Sequence, residues 1–195
     1  MKIVNRFIFN RNKSETIILI HGLYTTSGFW LSYLNLFKNY RIIAFNINYD
    51  SLLTCELTRE SLKAIFDFDG QVVGVISHSF GTIISDLVFE TKIDVFHKIC
   101  PVAISKRIDS SNFVLEIVNK TRLSENSICN NIELVNLFMS KFRNQMIYDG
   151  HFYIPKNDCF FSYDLSKNDN IEFIGDHFNI NNALLLIIEN LKCEK

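Results

Sequence analysis

Unbroken apolar runs alternate along this chain with segments of helical spacing. Thr16-Ile17-Ile18-Leu19-Ile20 is continuously apolar and stops abruptly at His21-Gly22, the pattern of a parallel strand buried on both faces. Similar runs recur over Tyr40–Ile47, in Val72-Val73 and Val75-Ile76, over Lys98–Ile104, over Phe152–Ile154 and over Ile171–Ile174. Lys2–Phe9 predicts a short strand at a sheet edge. Gly28–Lys38, Leu57–Phe66, Thr82–Val88 and Asn182–Leu191 carry apolar residues at helical spacing, with Thr58 placed to cap the second of these. Over Ser110–Met146 the rhythm changes to two helical patterns parted by Ser124-Glu125-Asn126-Ser127, and Asn48-Tyr49-Asp50-Ser51 reads as a polar stretch at a strand end, placed either to shape access to that end of the sheet or merely to turn the chain. Strands alternating with helices predict an α/β fold with a mainly parallel sheet, helices on both faces and right-handed crossovers. In such sheets reactive groups gather at the carboxyl ends of the strands. His21, Ser79, Asp158 and His177 fall at such ends.

The most informative stretch is Gln71–Ser85, QVVGVISHSFGTIIS. A β-branched strand runs into Ser77-His78-Ser79-Phe80-Gly81 and leaves as a helix, the context of a strand–turn–helix elbow that exposes a central serine. The turn stays sharp only if the residues two before and two after the serine are small, and here they are Ser77 and Gly81. Ser79 is therefore the predicted nucleophile. A serine needs a base, and the base needs an acid to fix its tautomer. His177, directly after a strand and near the C-terminus, is the predicted base. His78, as the neighbour of Ser79, cannot easily reach its Oγ and is expected to pack.

The elbow serine, the order Ser…Asp…His and the early strand ending in His-Gly together resemble the α/β-hydrolase superfamily. The resemblance spans Thr16 to Leu191. It implies Asp158, after the penultimate strand, as the acid, with Asp109 and Asp164 as reserves. It also implies an oxyanion hole from the backbone N–H groups of Leu23 and Phe80, and a helical lid over residues 110–146 of a single domain spanning 1–195. The segment Gly175-Asp176-His177-Phe178 is similar to the G-D-H-F around the histidine of polyketide and nonribosomal-peptide thioesterases. Those proteins commonly carry their acid after the strand following the elbow, where this chain has Ile104-Ser105-Lys106 and no carboxylate before Asp109.

Composition narrows the setting. The 195 residues carry a formal net charge of −1, which gives no electrostatic reason for nucleic acid or an anionic membrane as partner. The N-terminal residues lack a signal-like apolar stretch, and no run approaches the roughly 18–20 apolar residues of a spanning helix. Five scattered cysteines without a C-x-x-C pair suggest reduced thiols in a cytoplasmic protein. Neither the histidines nor the cysteines have metal-ligand spacing, so neither metal nor cofactor is expected. The sequence thus predicts a serine hydrolase working through an acyl-enzyme, leaning to an acyl thioesterase on the G-D-H-F resemblance. Its substrate would be a small or carrier-bound acyl group, on coenzyme A or an acyl-carrier protein. The alternatives are a carboxylesterase for small or carrier-bound esters such as a methyl ester, an acyltransferase using the same acyl-enzyme, and a non-catalytic binding protein of this fold.

Overall fold

The computed structural model describes residues 2–89, 96–107, 114, 117–119, 124–145, 150–163 and 170–193. Among these, strands β1 (Val4–Phe9), β2 (Glu15–Ile20), β3 (Arg41–Ile47), β4 (Gln71–His78), β5 (Phe96–Ile99), β7 (His151–Pro155) and β9 (Asn170–Phe173) form one sheet in the order β1-β3-β2-β4-β5-β7-β9. The edge strand β1 runs antiparallel to β3, and the other neighbouring pairs are parallel. Two three-residue strands, β6 (Ser105–Arg107) and β8 (Phe161–Tyr163), pair antiparallel as a separate ladder. Helices α1 (Tyr49–Thr54), α2 (Arg59–Ile65), α3 (Gly81–Val88), α4 (Glu125–Phe142) and α5 (Asn181–Cys193) complete the regular structure, together with a 3-10 segment over Ser27–Phe37.

The period-2 alternation of strand side chains divides the core into two layers. Ile18, Ile20, Ile43, Phe45 and Val75 point to one face, where they meet Leu52, Leu62, Ile84 and Leu87 of α1, α2 and α3, and Phe138 of α4. Ile17, Leu19, Ile42, Ala44 and Ile76 point to the other, where Trp30 and Phe37 of the 3-10 segment and Leu184 and Ile187 of α5 cover them. Both faces are filled, which is why the central strands read as continuous apolar runs rather than as alternation.

Two sequence expectations are revised. Asn48–Ser51 is the start of α1, not a turn: the Asn48 side chain accepts from Ser51 N–H and caps the helix. The strand expected over Lys98–Ile104 ends at Ile99, because Cys100 takes φ +52° and Pro101 has no N–H for the ladder. Of the two helical patterns in Ser110–Met146, the second is α4, whose N-cap is Ser124, and most of the first lies outside the described residues. Thr58 does cap α2, in a capping box with Ser61.

One charged pair is built into the core beside the serine-bearing turn. Lys98 Nζ on β5 lies 2.5 Å from Asp86 Oδ1 on α3, with each side chain only 2% exposed. The Phe96 and Phe152 rings flank the ammonium at 5.8 and 5.3 Å. Removing one member of such a pair strands the other's charge, whereas removing both together is far milder. Lys98→Met is therefore expected to lower unfolding free energy by about 3–5 kcal/mol, and Lys98→Met with Asp86→Leu to recover most of it. Urea denaturation of the two variants checks this.

Candidate active site

The turn between β4 and α3 places Ser79 at φ +52°, a left-handed conformation that costs a non-glycine residue about 1–3 kcal/mol. Its backbone is clamped from both sides. Ser79 N–H donates to the Ile99 carbonyl at 2.9 Å, and the Ser79 carbonyl accepts from Thr82 N–H at 3.0 Å and from Thr82 Oγ1 at 2.6 Å. Gly81 is demanded by contact rather than by φ: a Cβ there would lie 2.5 Å from the His21 carbonyl oxygen and 2.8 Å from that of Ile20. Ser77, which stands at the other small position, is fully buried and its hydroxyl is matched to Ser85 Oγ at 3.1 Å. Ser85 in turn donates to the Thr82 carbonyl, so Ser77 is the donor to Ser85.

His177 and Asp158 arrive from the loops after β9 and β7. Ser79 Oγ lies 3.0 Å from His177 Nε2, and His177 Nδ1 lies 2.9 Å from Asp158 Oδ2. The second contact makes Nδ1 the protonated nitrogen and leaves Nε2 to accept from the serine hydroxyl. Asp158 Oδ1 accepts from the N–H groups of Phe160 and Phe161 at 2.8 and 3.1 Å, and Oδ2 also accepts from Tyr163 Oη at 2.5 Å. Burial pushes the Asp158 carboxyl up, but hydrogen bonding and charge from His177, and the bonds from Tyr163 and Phe160, outweigh it and hold it below the usual carboxylate value. The site thus contains an ionised carboxylate, a histidine of fixed tautomer and a serine hydroxyl in one chain of hydrogen bonds. Asp109 and Asp164 lie outside the described residues.

Leu23 and Phe80 line the same cavity as Ser79 and His177. Among the described residues neither backbone N–H is given to a protein acceptor, and Phe80 is the N-cap of α3, where the helix dipole favours negative charge. The Leu23 turn is fixed by His21 and Tyr49. His21 Nε2 accepts from Ile47 N–H at 2.9 Å, so its Nδ1–H donates to the Gly22 carbonyl, and Tyr49 Oη donates to the His21 carbonyl. A Cβ on Gly22 would sit 2.9 Å from Ser79 Cβ, so only glycine lets this turn approach the serine so closely. His78 packs as expected, stacked on Phe29 with ring centroids 4.8 Å apart. It also does more than pack, because its Nε2–H donates to the His177 carbonyl at 2.7 Å and pins the histidine loop. Tyr163 and the His78 clamp are not legible in the sequence as site residues, and Tyr49 is legible only by its place at a strand end beside the site.

The cavity has a volume of about 450 Å³ and a mostly apolar wall, within the range of small-molecule pockets. Ile132, Val135 and Met139 of α4 line it together with Phe160, Phe161 and Phe178, and Ser79 and His177 share the same wall. Trp30 is fully buried in the core. Cys100 is buried and Cys55, Cys129 and Cys159 are exposed, and none of these four is in a disulfide. Among the described residues no helix is long and apolar enough to cross a membrane.

No protein-family model matches the chain, and no curated protein matches it in sequence. Solved structures do match its fold. The monoacylglycerol lipase of Paleococcus ferrophilus aligns with TM-score 0.57 and 13% identity over 98% of this chain and 99% of its own. A carboxylesterase of the thaumarchaeon Nitrososphaera gargenis aligns with TM-score 0.58 and 12% identity over 98% and 96%. The type II thioesterase of the borrelidin biosynthetic cluster aligns with TM-score 0.54 and 14% identity over 98% and 97%. The chain therefore has the α/β-hydrolase fold, and at these identities the likeness speaks for fold alone.

Three buried histidines link this architecture to pH. Burial lowers His21 to about 4 against the opposing hydrogen bond to Gly22, lowers His78 to about 3 with help from nearby His177, and lowers His97 to about 3 with help from His151. Each is therefore neutral when folded and takes up its proton more readily when unfolded, near 6.5. Stability is full above that value and is lost as pH falls through the window toward 3–4, at up to about 1.4 kcal/mol per pH unit for each histidine. The urea midpoint is expected to be flat above neutrality and to drop steeply below about pH 6. A flat midpoint across the acidic window contradicts it.

Proposed function

We propose that this protein is a serine hydrolase that cleaves an acyl ester or thioester. The observation that carries the reading is the Ser79–His177–Asp158 hydrogen-bonded chain at the wall of an apolar cavity. Ser79 Oγ attacks the acyl carbonyl carbon while His177 Nε2 takes its proton, and the imidazolium so formed is stabilised by Asp158. The carbonyl oxygen, now negative, is held by the N–H groups of Leu23 and Phe80. The tetrahedral intermediate collapses, His177 returns the proton to the leaving alcohol or thiol, and the acyl group stays on Ser79. Water, deprotonated by His177, attacks the acyl-enzyme and releases the acid by the same steps in reverse order.

The apolar walls suit a hydrocarbon acyl chain, for which α4 serves as the lid. A thioester leaving group on coenzyme A or an acyl-carrier arm is preferred, on the Gly175-Asp176-His177-Phe178 resemblance. The chemistry needs no metal or cofactor, because the base, the acid and the oxyanion donors are all protein groups. A carboxylesterase acting on small or carrier-bound esters uses the same cavity and the same steps, and differs only in the leaving group.

Turnover of p-nitrophenyl esters and of acyl-coenzyme A thioesters of graded chain length separates the two leaving groups. Ser79→Ala and His177→Ala are each expected to lower kcat by about 10⁴-fold or more, and Asp158→Asn by about 10²–10⁴-fold. Undiminished turnover in Ser79→Ala contradicts the mechanism. A loss in Asp109→Asn or Asp164→Asn with none in Asp158→Asn moves the acid.

A further inference from the structure

The acid's environment contains a phenolic hydroxyl that the proposed chemistry does not use. Asp158 Oδ2 receives two donors, His177 Nδ1–H at 2.9 Å and Tyr163 Oη–H at 2.5 Å. Tyr163 is five residues beyond Asp158 and is held on β8 by its pairing with Ser105 of β6, and Ser105 itself lines the cavity. The Asp158 side chain is only 2% exposed, so water cannot replace a donor lost from it. Its other oxygen is already filled by the Phe160 and Phe161 N–H groups. These four donors fix both the plane of the carboxylate and the share of its charge that reaches the imidazole.

We propose that Tyr163 is a positioning residue for the reaction, its hydroxyl dividing the charge of Asp158 Oδ2 with His177 and holding that oxygen in line with Nδ1. The inference rests on the serine-hydrolase reading and assigns the short β6–β8 ladder a purpose, as the mount for this hydroxyl. Without the phenol, Oδ2 has one donor fewer and more of its charge falls on the imidazole. The protonated ring is then stabilised relative to the neutral one. The carboxylate is also freer to rotate out of line, which lowers the rate even when the base is neutral.

Other groups around the histidine do not mimic this effect. His78 lies with its ring 5.1 Å from that of His177, but burial keeps it neutral down to about 3. Burial pushes the Cys100 thiol, beside Asp158 and His177, well up. Asp176 is turned onto the N–H groups of Phe178 and Asn179, and His21, beyond His78, is lowered to about 4. Phe160, Phe161 and Phe178 enclose the imidazole with uncharged rings.

Tyr163→Phe keeps the ring and removes only the hydroxyl. Steady-state kinetics from pH 5 to 9 on a p-nitrophenyl ester, with Ser79→Ala alongside, test the proposal. Tyr163→Phe is expected to lower kcat about 10-fold with KM within a factor of about two, and to move the acid limb of kcat/KM up by about 0.5–1 pH unit. Proton NMR of the Nδ1–H of His177 gives a second readout, expected downfield of wild type because the remaining bond to Oδ2 tightens. An unmoved acid limb and an unmoved Nδ1–H resonance overturn the positioning role while leaving the serine mechanism standing. Undiminished activity in Ser79→Ala overturns the underlying reading instead.

Discussion

Ser79 holds a backbone conformation that serine does not choose, and much of the surrounding structure keeps it there. The left-handed φ of +52° costs about 1–3 kcal/mol and is sustained by contacts from three elements. Ile99 at the end of β5 takes the Ser79 N–H, Thr82 in the first turn of α3 takes its carbonyl, and Gly81 brings the turn against the carbonyls of Ile20 and His21 at and just beyond the end of β2. The same strain lifts Oγ off the sheet edge and turns it toward His177. Conformational cost and chemical exposure are therefore one feature, and the packed strands on both sides supply the rigidity that maintains it.

Around this turn the buried polar groups are arranged to be uncharged or matched. His21 and His78 are neutral and each spends a ring N–H on a carbonyl, one shaping the Leu23 turn and the other pinning the His177 loop. Lys98 and Asp86 meet one another inside the core. Asp158 is the exception, an ionised group kept so by four donors. Its charge sits against His177 Nδ1, where it is placed to stabilise an imidazolium. That asymmetry favours a reaction in which a proton moves between serine and histidine.

What the sequence discloses follows from how local each feature is. The β2 and β4 runs, the small residues flanking Ser79 and the cap at Thr58 are all written in consecutive residues, and the alternation of strands and helices is enough to predict the fold class. His177 stands out because it closely follows a short apolar run, whereas Asp158, parted from its own run by Pro155-Lys156-Asn157, is singled out only by what the α/β-hydrolase resemblance implies. Tyr163 does not stand out, because a three-residue strand such as β8 contains too little alternation to register, and its partner β6 is 56 residues away across Lys106 and Ser162. Lys98 hides for the opposite reason: a lysine in an apolar run gives no hint that Asp86 waits on the neighbouring helix. The break at Cys100 shows how a strand can be over-read through Pro101 when the turn depends on tertiary contact.

The central claim is that Ser79 is an activated nucleophile, and covalent capture tests it most directly. Incubation of the protein with a fluorophosphonate, followed by intact-mass measurement and peptide mapping, is predicted to give one adduct on the oxygen of Ser79. Labelling should vanish in Ser79→Ala and slow by orders of magnitude in His177→Ala. No adduct on the folded protein, or an adduct that persists in Ser79→Ala, contradicts the claim.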